Sequence, residues 1–154
     1  MCCYVDTSVI VKLYIKEALS LEASNWVRAR NEAIPLTVFH ELEFKNALYL
    51  KQFRTEITDT EIRAILLKFA DHQKRGVYYR PPVNWSDIMI RAVEIACTHT
   101  NKTGARSLDV LHVAAALTIK AGSFLTLDDR QATLAALVGL KLEDCTQSLD
   151  TPRH

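Results

Sequence analysis

Short apolar runs alternate with segments of helical periodicity along the whole chain, and this alternation limits the fold more than any other feature. CCYV ends in Asp6, Thr7 and Ser8 and passes directly into a helical pattern, as a strand does when it runs into a helix. LSLEASNWVRAR carries Leu21, Trp26 and Val27 at helical spacing, and IPLT after it reads as a short strand bounded by Thr37. VFHELEFKNALYLKQF is predicted as a helix with Phe39, Leu42, Tyr49, Leu50 and Phe53 on one face. Thr58 and Glu61 have capping-box spacing and open a second helix that stops at Gly76, so the two are expected as a hairpin pair. VYYRPPVNW reads as a short strand and a proline-held turn, Ser86 is expected to cap the helix DIMIRAVEIACTHT, and NKTGAR is a polar connector. A helix stopping at Gly122, the strand SFLTL, a helix from about Asp129 to Val138 and a last strand, LKL, complete the pattern. The expectation is an α/β three-layer sandwich, with a central parallel sheet joined by right-handed crossovers and helices on both faces.

The 154 residues fit one domain, expected over 1–146 and followed by a C-terminal tail over 147–154. Hydrophobic residues make up 49% and charged residues 24%, which suits a globular chain with a real core and argues against disorder. No apolar run approaches the roughly 20 residues of a membrane span, and no basic, apolar and cleavable leader opens the sequence, so a cytoplasmic protein is expected. Cys2, Cys3, Cys97 and Cys145 show no paired metal-ligand spacing, and core packing explains them better than zinc or a disulfide framework. A net charge of +1 leaves room for an acidic cleft beside a basic rim and decides nothing about partners.

One carboxylate needs a reason. In GARSLDVLHVAAALTIKAG, Asp109 and His112 are the strongly polar residues of an otherwise apolar helix. A charge against a core costs several kcal/mol, roughly 3 or more, unless it is compensated. Ser107 can act as N-cap, which puts Asp109 in the first turn, where the macrodipole favours it by about 0.3 to 1 kcal/mol. The other explanation is convergence with further acids. Asp6 follows the first strand and Asp128 follows SFLTL, both at carboxyl ends of strands, where parallel sheets bind ligands. Glu41 or Glu43 adds a helical acid; at 100° per residue they lie about 200° apart, and periodicity does not choose between them. Clustered carboxylates are tenable with divalent cations between them, and an oxygen-only set suits Mg²⁺ or Mn²⁺.

YVDTSVIVKLY, HELEFKNAL, GARSLDVLHVAAAL and FLTLDDRQ occur in the order found in PIN-domain proteins, and the sequence resembles the VapC-type ribonuclease toxins of toxin–antitoxin pairs. The resemblance covers nearly the whole chain and implies a PIN-like fold. It implies a metal-dependent endoribonuclease that hydrolyses RNA phosphodiesters with metal-activated water, using Mg²⁺ or Mn²⁺ held by Asp6, Glu43, Asp109 and Asp128. The family's Glu precedes an Ala-Leu pair by four residues with Asn three after it, and Asn46, Ala47 and Leu48 select Glu43. The family's Thr-any-Asp pattern reads Thr126, Leu127, Asp128, which leaves Asp129 to cap a helix or face water. By the same resemblance the protein is a toxin, a homodimer, and is inhibited by a small antitoxin.

His112 stands one turn after Asp109 and reads best as a packed histidine bonded to a neighbouring backbone group. His99 and Arg106 match residues that recur before the Asp in similar sequences, and either orient its helix or touch a phosphate. Lys12, Lys16, Lys45, Lys102 and Arg106 can rim an acidic cleft, and HQKRGVYYR mixes bases with tyrosines, which suits RNA or merely a solvated helix end. The alternative function is a catalytically inactive PIN-fold module that binds protein or RNA.

Overall fold

The computed structural model describes residues 1–147, so the tail expected over 147–154 lies, beyond Gln147, outside the described residues. In chain order the elements are β1 (Cys3–Val5), α1 (Thr7–Lys12), α2 (Ser20–Arg30), β2 (Ile34–Pro35), α3 (Val38–Phe53), α4 (Asp59–Lys74), β3 (Tyr78–Tyr79), α5 (Trp85–Thr103), α6 (Ser107–Thr118), β4 (Ser123–Leu125), α7 (Asp129–Leu137) and β5 (Lys141–Leu142). They group into two compact units, Met1–Asp6 with Pro81–Asp144, and Thr7–Arg80 with residues 145–147.

The three-layer sandwich with one central parallel sheet is not what forms. Helices hold 61% of the described residues, and the strands, two or three residues each, make a sheet of three and a separate sheet of two. Every pairing is parallel, as the alternation implies, but the runs are too short to build one sheet. IPLT shows why: Ile34 and Leu36 donate to Val77 and Tyr79 carbonyls at 2.9 and 2.8 Å, and Pro35 between them has no N–H with which to extend a ladder.

In the first unit the order is β1-β4-β5, with Val5 opposite Leu125. The Asp6 amide continues the ladder by donating to the Leu125 carbonyl at 2.9 Å. Tyr4, Val113, Ala114, Phe124 and Leu134 are fully buried in the core formed with α5, α6 and α7. α5 runs through the expected connector NKT to Thr103 and stops at Gly104, whose φ of +65° is the left-handed turn glycine takes at helix ends. Its N-cap is Asn84 rather than Ser86.

In the second unit α1 packs on α2 and α3. α3 and α4 form over the predicted stretches, and Thr58 and Glu61 make the expected reciprocal capping box. The face of α3 differs: Phe39, His40, Phe44 and Leu48 are buried, whereas Leu42, Tyr49, Leu50 and Phe53 are exposed. Phe44 stacks on Phe69 at 4.4 Å between centroids, with Tyr14 edge-on at 5.2 Å. The Tyr14 hydroxyl bonds His72 Nδ1 at 2.7 Å and the Tyr78 hydroxyl at 2.9 Å. Burial pushes both phenols up, Tyr78 to about 12.

Burial, with Lys68 and Arg75 close by, holds the His72 imidazole below its ordinary value. The native state therefore binds this proton less well than the unfolded chain, so the stability contributed by neutral His72 is present above about pH 6.5 and is lost as pH falls toward the lowered native value. Urea melts at pH 7.5 and about 5.5 are expected to show a smaller loss in His72→Asn than in the parent.

Candidate functional site

Three of the four acids singled out in the sequence belong to the first unit. Asp6 stands just beyond the end of β1, is 7% exposed, and has its Oδ1 3.4 Å from His112 Nε2. The other ring nitrogen of His112, Nδ1, is 2.8 Å from the Tyr4 hydroxyl. One tautomer satisfies both contacts: Tyr4 donates to Nδ1, and Nε2–H donates to the Asp6 carboxylate. His112 is thus buried, as expected, but it is held by two side chains as well as by its helix.

Asp109 lies one turn before His112 on α6, so the two project along the same side of that helix. Arg106, not Ser107, is the N-cap. Asp109 Oδ2 accepts from the Arg106 backbone amide at 3.0 Å and from its Nε at 3.4 Å. The helix-start explanation for this carboxylate is therefore real.

Asp128 caps α7: its Oδ1 accepts from the Gln131 amide at 2.9 Å, while its own amide donates to Thr126 Oγ1 at 3.1 Å. Asp129, exposed, is the first residue of α7. Gln131 ties the group together. It is 1% exposed, and its Nε2 reaches the Asp109 carbonyl at 3.5 Å while its backbone holds Asp128. Its Oε1 is buried with no hydrogen-bond partner among the described residues.

Tyr4 and Gln131 were not singled out in the sequence. Gln131 had a signal, since Asp128 and Gln131 have capping-box spacing. Its side chain turns to the neighbouring helix instead of back to the cap. A residue that positions others through one weak bond should be separable from stability. Gln131→Leu removes an unsatisfied acceptor together with the donor, so its unfolding free energy is expected within about 1 kcal/mol of the parent. Denaturant melts of the variant beside the parent read the effect.

In the second unit Glu43 accepts from Thr7 Oγ1 at 2.7 Å. Glu41 is engaged elsewhere, by Arg80 at 2.8 Å and by Lys45 at 3.8 Å. Lys12 pairs with Glu17 at 3.3 Å, so three of the expected rim cations, Lys12, Lys45 and Arg106, serve local ion pairs. His99 Nδ1 is buried with no hydrogen-bond partner among the described residues. All four cysteines are free thiols; Cys3 and Cys145 are buried, and Cys97 is exposed rather than packed in the core.

The donor chemistry of Asp6, Asp109 and Asp128 fits a hard divalent cation, being carboxylate oxygen throughout. The arrangement is not a finished cage. Among the described residues no group of three or more His, Cys, Asp or Glu side chains is gathered so as to hold a metal ion. Each carboxylate is turned to a local donor: Asp6 to His112, Asp109 to Arg106, Asp128 to the Gln131 amide. Asp109 Oδ1 and Asp128 Oδ2 make no hydrogen bond among the described residues. No helix among the described residues is long and apolar enough to cross a membrane. Compared with protein-family models and with curated proteins, the chain finds no match in either.

Proposed function

We propose that the chain is a metal-dependent endoribonuclease in which Asp6, Asp109 and Asp128 hold Mg²⁺ or Mn²⁺. The observation that carries this reading is the placement of three acids in the first unit: Asp6 lies against His112 one turn after Asp109 on α6, and Gln131 bonds the Asp128 carboxylate through its backbone amide and the Asp109 backbone carbonyl through its side chain. The resemblance to VapC-type sequences also points to Glu43, which accepts from Thr7 within the second unit, while Glu41 serves ion pairs. When bound, such a cation polarises a phosphoryl oxygen and makes an attacking water more acidic.

The chain's own groups do the rest. His112, fixed by the Tyr4 hydroxyl, keeps its Nε2 toward Asp6 and so holds that carboxylate oriented. Gln131 fixes the start of α6 relative to the cap of α7. Exposed apolar side chains, Leu42, Tyr49 and Phe53 on α3 and Met89, Ile90 and Val93 on α5, give each unit a surface suited to a protein partner. They support a toxin that forms a homodimer and is restrained by a small antitoxin.

The test is cleavage of a mixed cellular RNA pool by purified, partner-free protein. Cleavage is expected with Mg²⁺ or Mn²⁺ and none with EDTA. Undiminished cleavage in EDTA, or none by folded protein with either metal, contradicts the reading. A second reading, a module that binds RNA or protein without cutting, is favoured by the lack of a gathered metal cluster among the described residues. It expects partner binding that EDTA leaves unchanged, with no cleavage.

A further inference from the structure

We propose that a cavity of about 350 Å³ within the second unit, lined by Arg28, Lys68 and Arg75 beside His72 and Tyr78, binds a nucleotide phosphate of an RNA strand. The choice of RNA as the ligand rests on the nuclease reading. The volume lies in the range of small-ligand sites and is large enough for more than a bare phosphate. Its lining is mixed: three cations and the Ser24 hydroxyl, with the apolar Leu13, Val27 and Val77. A phosphate with its sugar or base presents the same mixture of charge and apolar surface.

No carboxylate lines the cavity among the described residues. Asp71, one turn from Arg75, pairs with it at 3.5 Å and offsets one of the three charges. Arg28 and Lys68 have no carboxylate partner among the described residues, and Lys68 lies 5.9 Å from the centre of the Tyr14 ring. Two cations from different helices facing one concavity repel each other until an anion is placed between them. His72 carries the mark of that field, since Lys68 and Arg75 help to keep its imidazole neutral. An anion in the cavity relieves the same field, so the His72 ring reports on occupancy. Its Nδ1 is already held by the Tyr14 hydroxyl, which fixes the ring where the charge would change. Part of HQKRGVYYR thereby acquires a place, through His72, Arg75, Val77 and Tyr78.

The experiment measures binding of a labelled short single-stranded RNA by the intact protein in EDTA, where nothing is cleaved, across a series of salt concentrations. The parent is compared with Arg28→Gln and with Arg28→Gln/Lys68→Gln, both at exposed positions, each checked for an unchanged circular dichroism spectrum. The expected result is an affinity about tenfold lower in the double variant, with a plot of log affinity against log salt shallower by about 0.7, the loss of one single-strand phosphate contact. The His72 ring resonances are expected to move on RNA addition to the parent. Parental affinity and salt slope in both variants overturn the site, as does a His72 resonance that stays fixed at saturation. The nuclease reading fails separately: binding with these features and no cleavage in Mg²⁺ or Mn²⁺ upholds the site and sinks the enzyme. Cleavage by variants that bind like the parent does the reverse.

Discussion

Asp109→Asn is expected to fold, to lose no more than about 1 kcal/mol of stability, and to lose RNA cleavage by about a thousandfold or more. The small figure comes from the cap: Asp109 accepts from the Arg106 amide, an Asn carbonyl can still accept that bond, and what is removed is the carboxylate's interaction with the helix dipole and its ion pair with the exposed Arg106 side chain. The large figure follows from the proposed metal site. A hard cation loses an anionic ligand, and several kcal/mol of charge stabilisation goes with it, at 1.36 kcal/mol for each tenfold in rate. Denaturant melts and cleavage rates on the same sample separate the two roles. A variant that cuts RNA like the parent reduces Asp109 to a helix cap.

Phe44→Ala is expected to cost about 3 to 5 kcal/mol, the range for emptying a buried aromatic position. Phe44 is fully buried, stacks on Phe69 and meets Tyr14 edge-on, so truncation removes packing from three elements at once. The loss falls in the second unit, where α3, α4 and the turn after α1 contribute those rings. For a chain of this length the melting temperature should drop by roughly 10 °C, read by circular dichroism. The exposed Phe53→Ala on the same helix should change it little.

These two phenylalanines show where the sequence could and could not be read. The bounds of α3 were legible because helical letters run unbroken from Thr37, a good cap, to Arg54. Its inner face was not, because apolar residues ring the helix: Val38, Leu42, Tyr49, Leu50 and Phe53 lie outside while Phe39, Phe44 and Leu48 lie inside. A helix apolar on all sides gives periodicity nothing to choose by. The strands failed differently. Their parallel sense was correctly inferred, but letters such as IPLT and SFLTL do not say how many residues will join a ladder. At the site, the carboxylates stood out as charges after strands and in an apolar helix. What holds them did not, because Tyr4 reads as strand core and Gln131 as a surface residue of DDRQ until the fold buries it against the start of α6.

The proposed function stands on whether Asp6, Asp109 and Asp128 can take a cation from their local donors. Anomalous diffraction from crystals soaked in Mn²⁺ measures that directly. A peak bound by carboxylate oxygens of these three residues, and missing from crystals of Asp6→Asn, is the expected result. Crystals that take up Mn²⁺ elsewhere or nowhere, with Asp6 still on His112 and Asp109 still on Arg106, would contradict it.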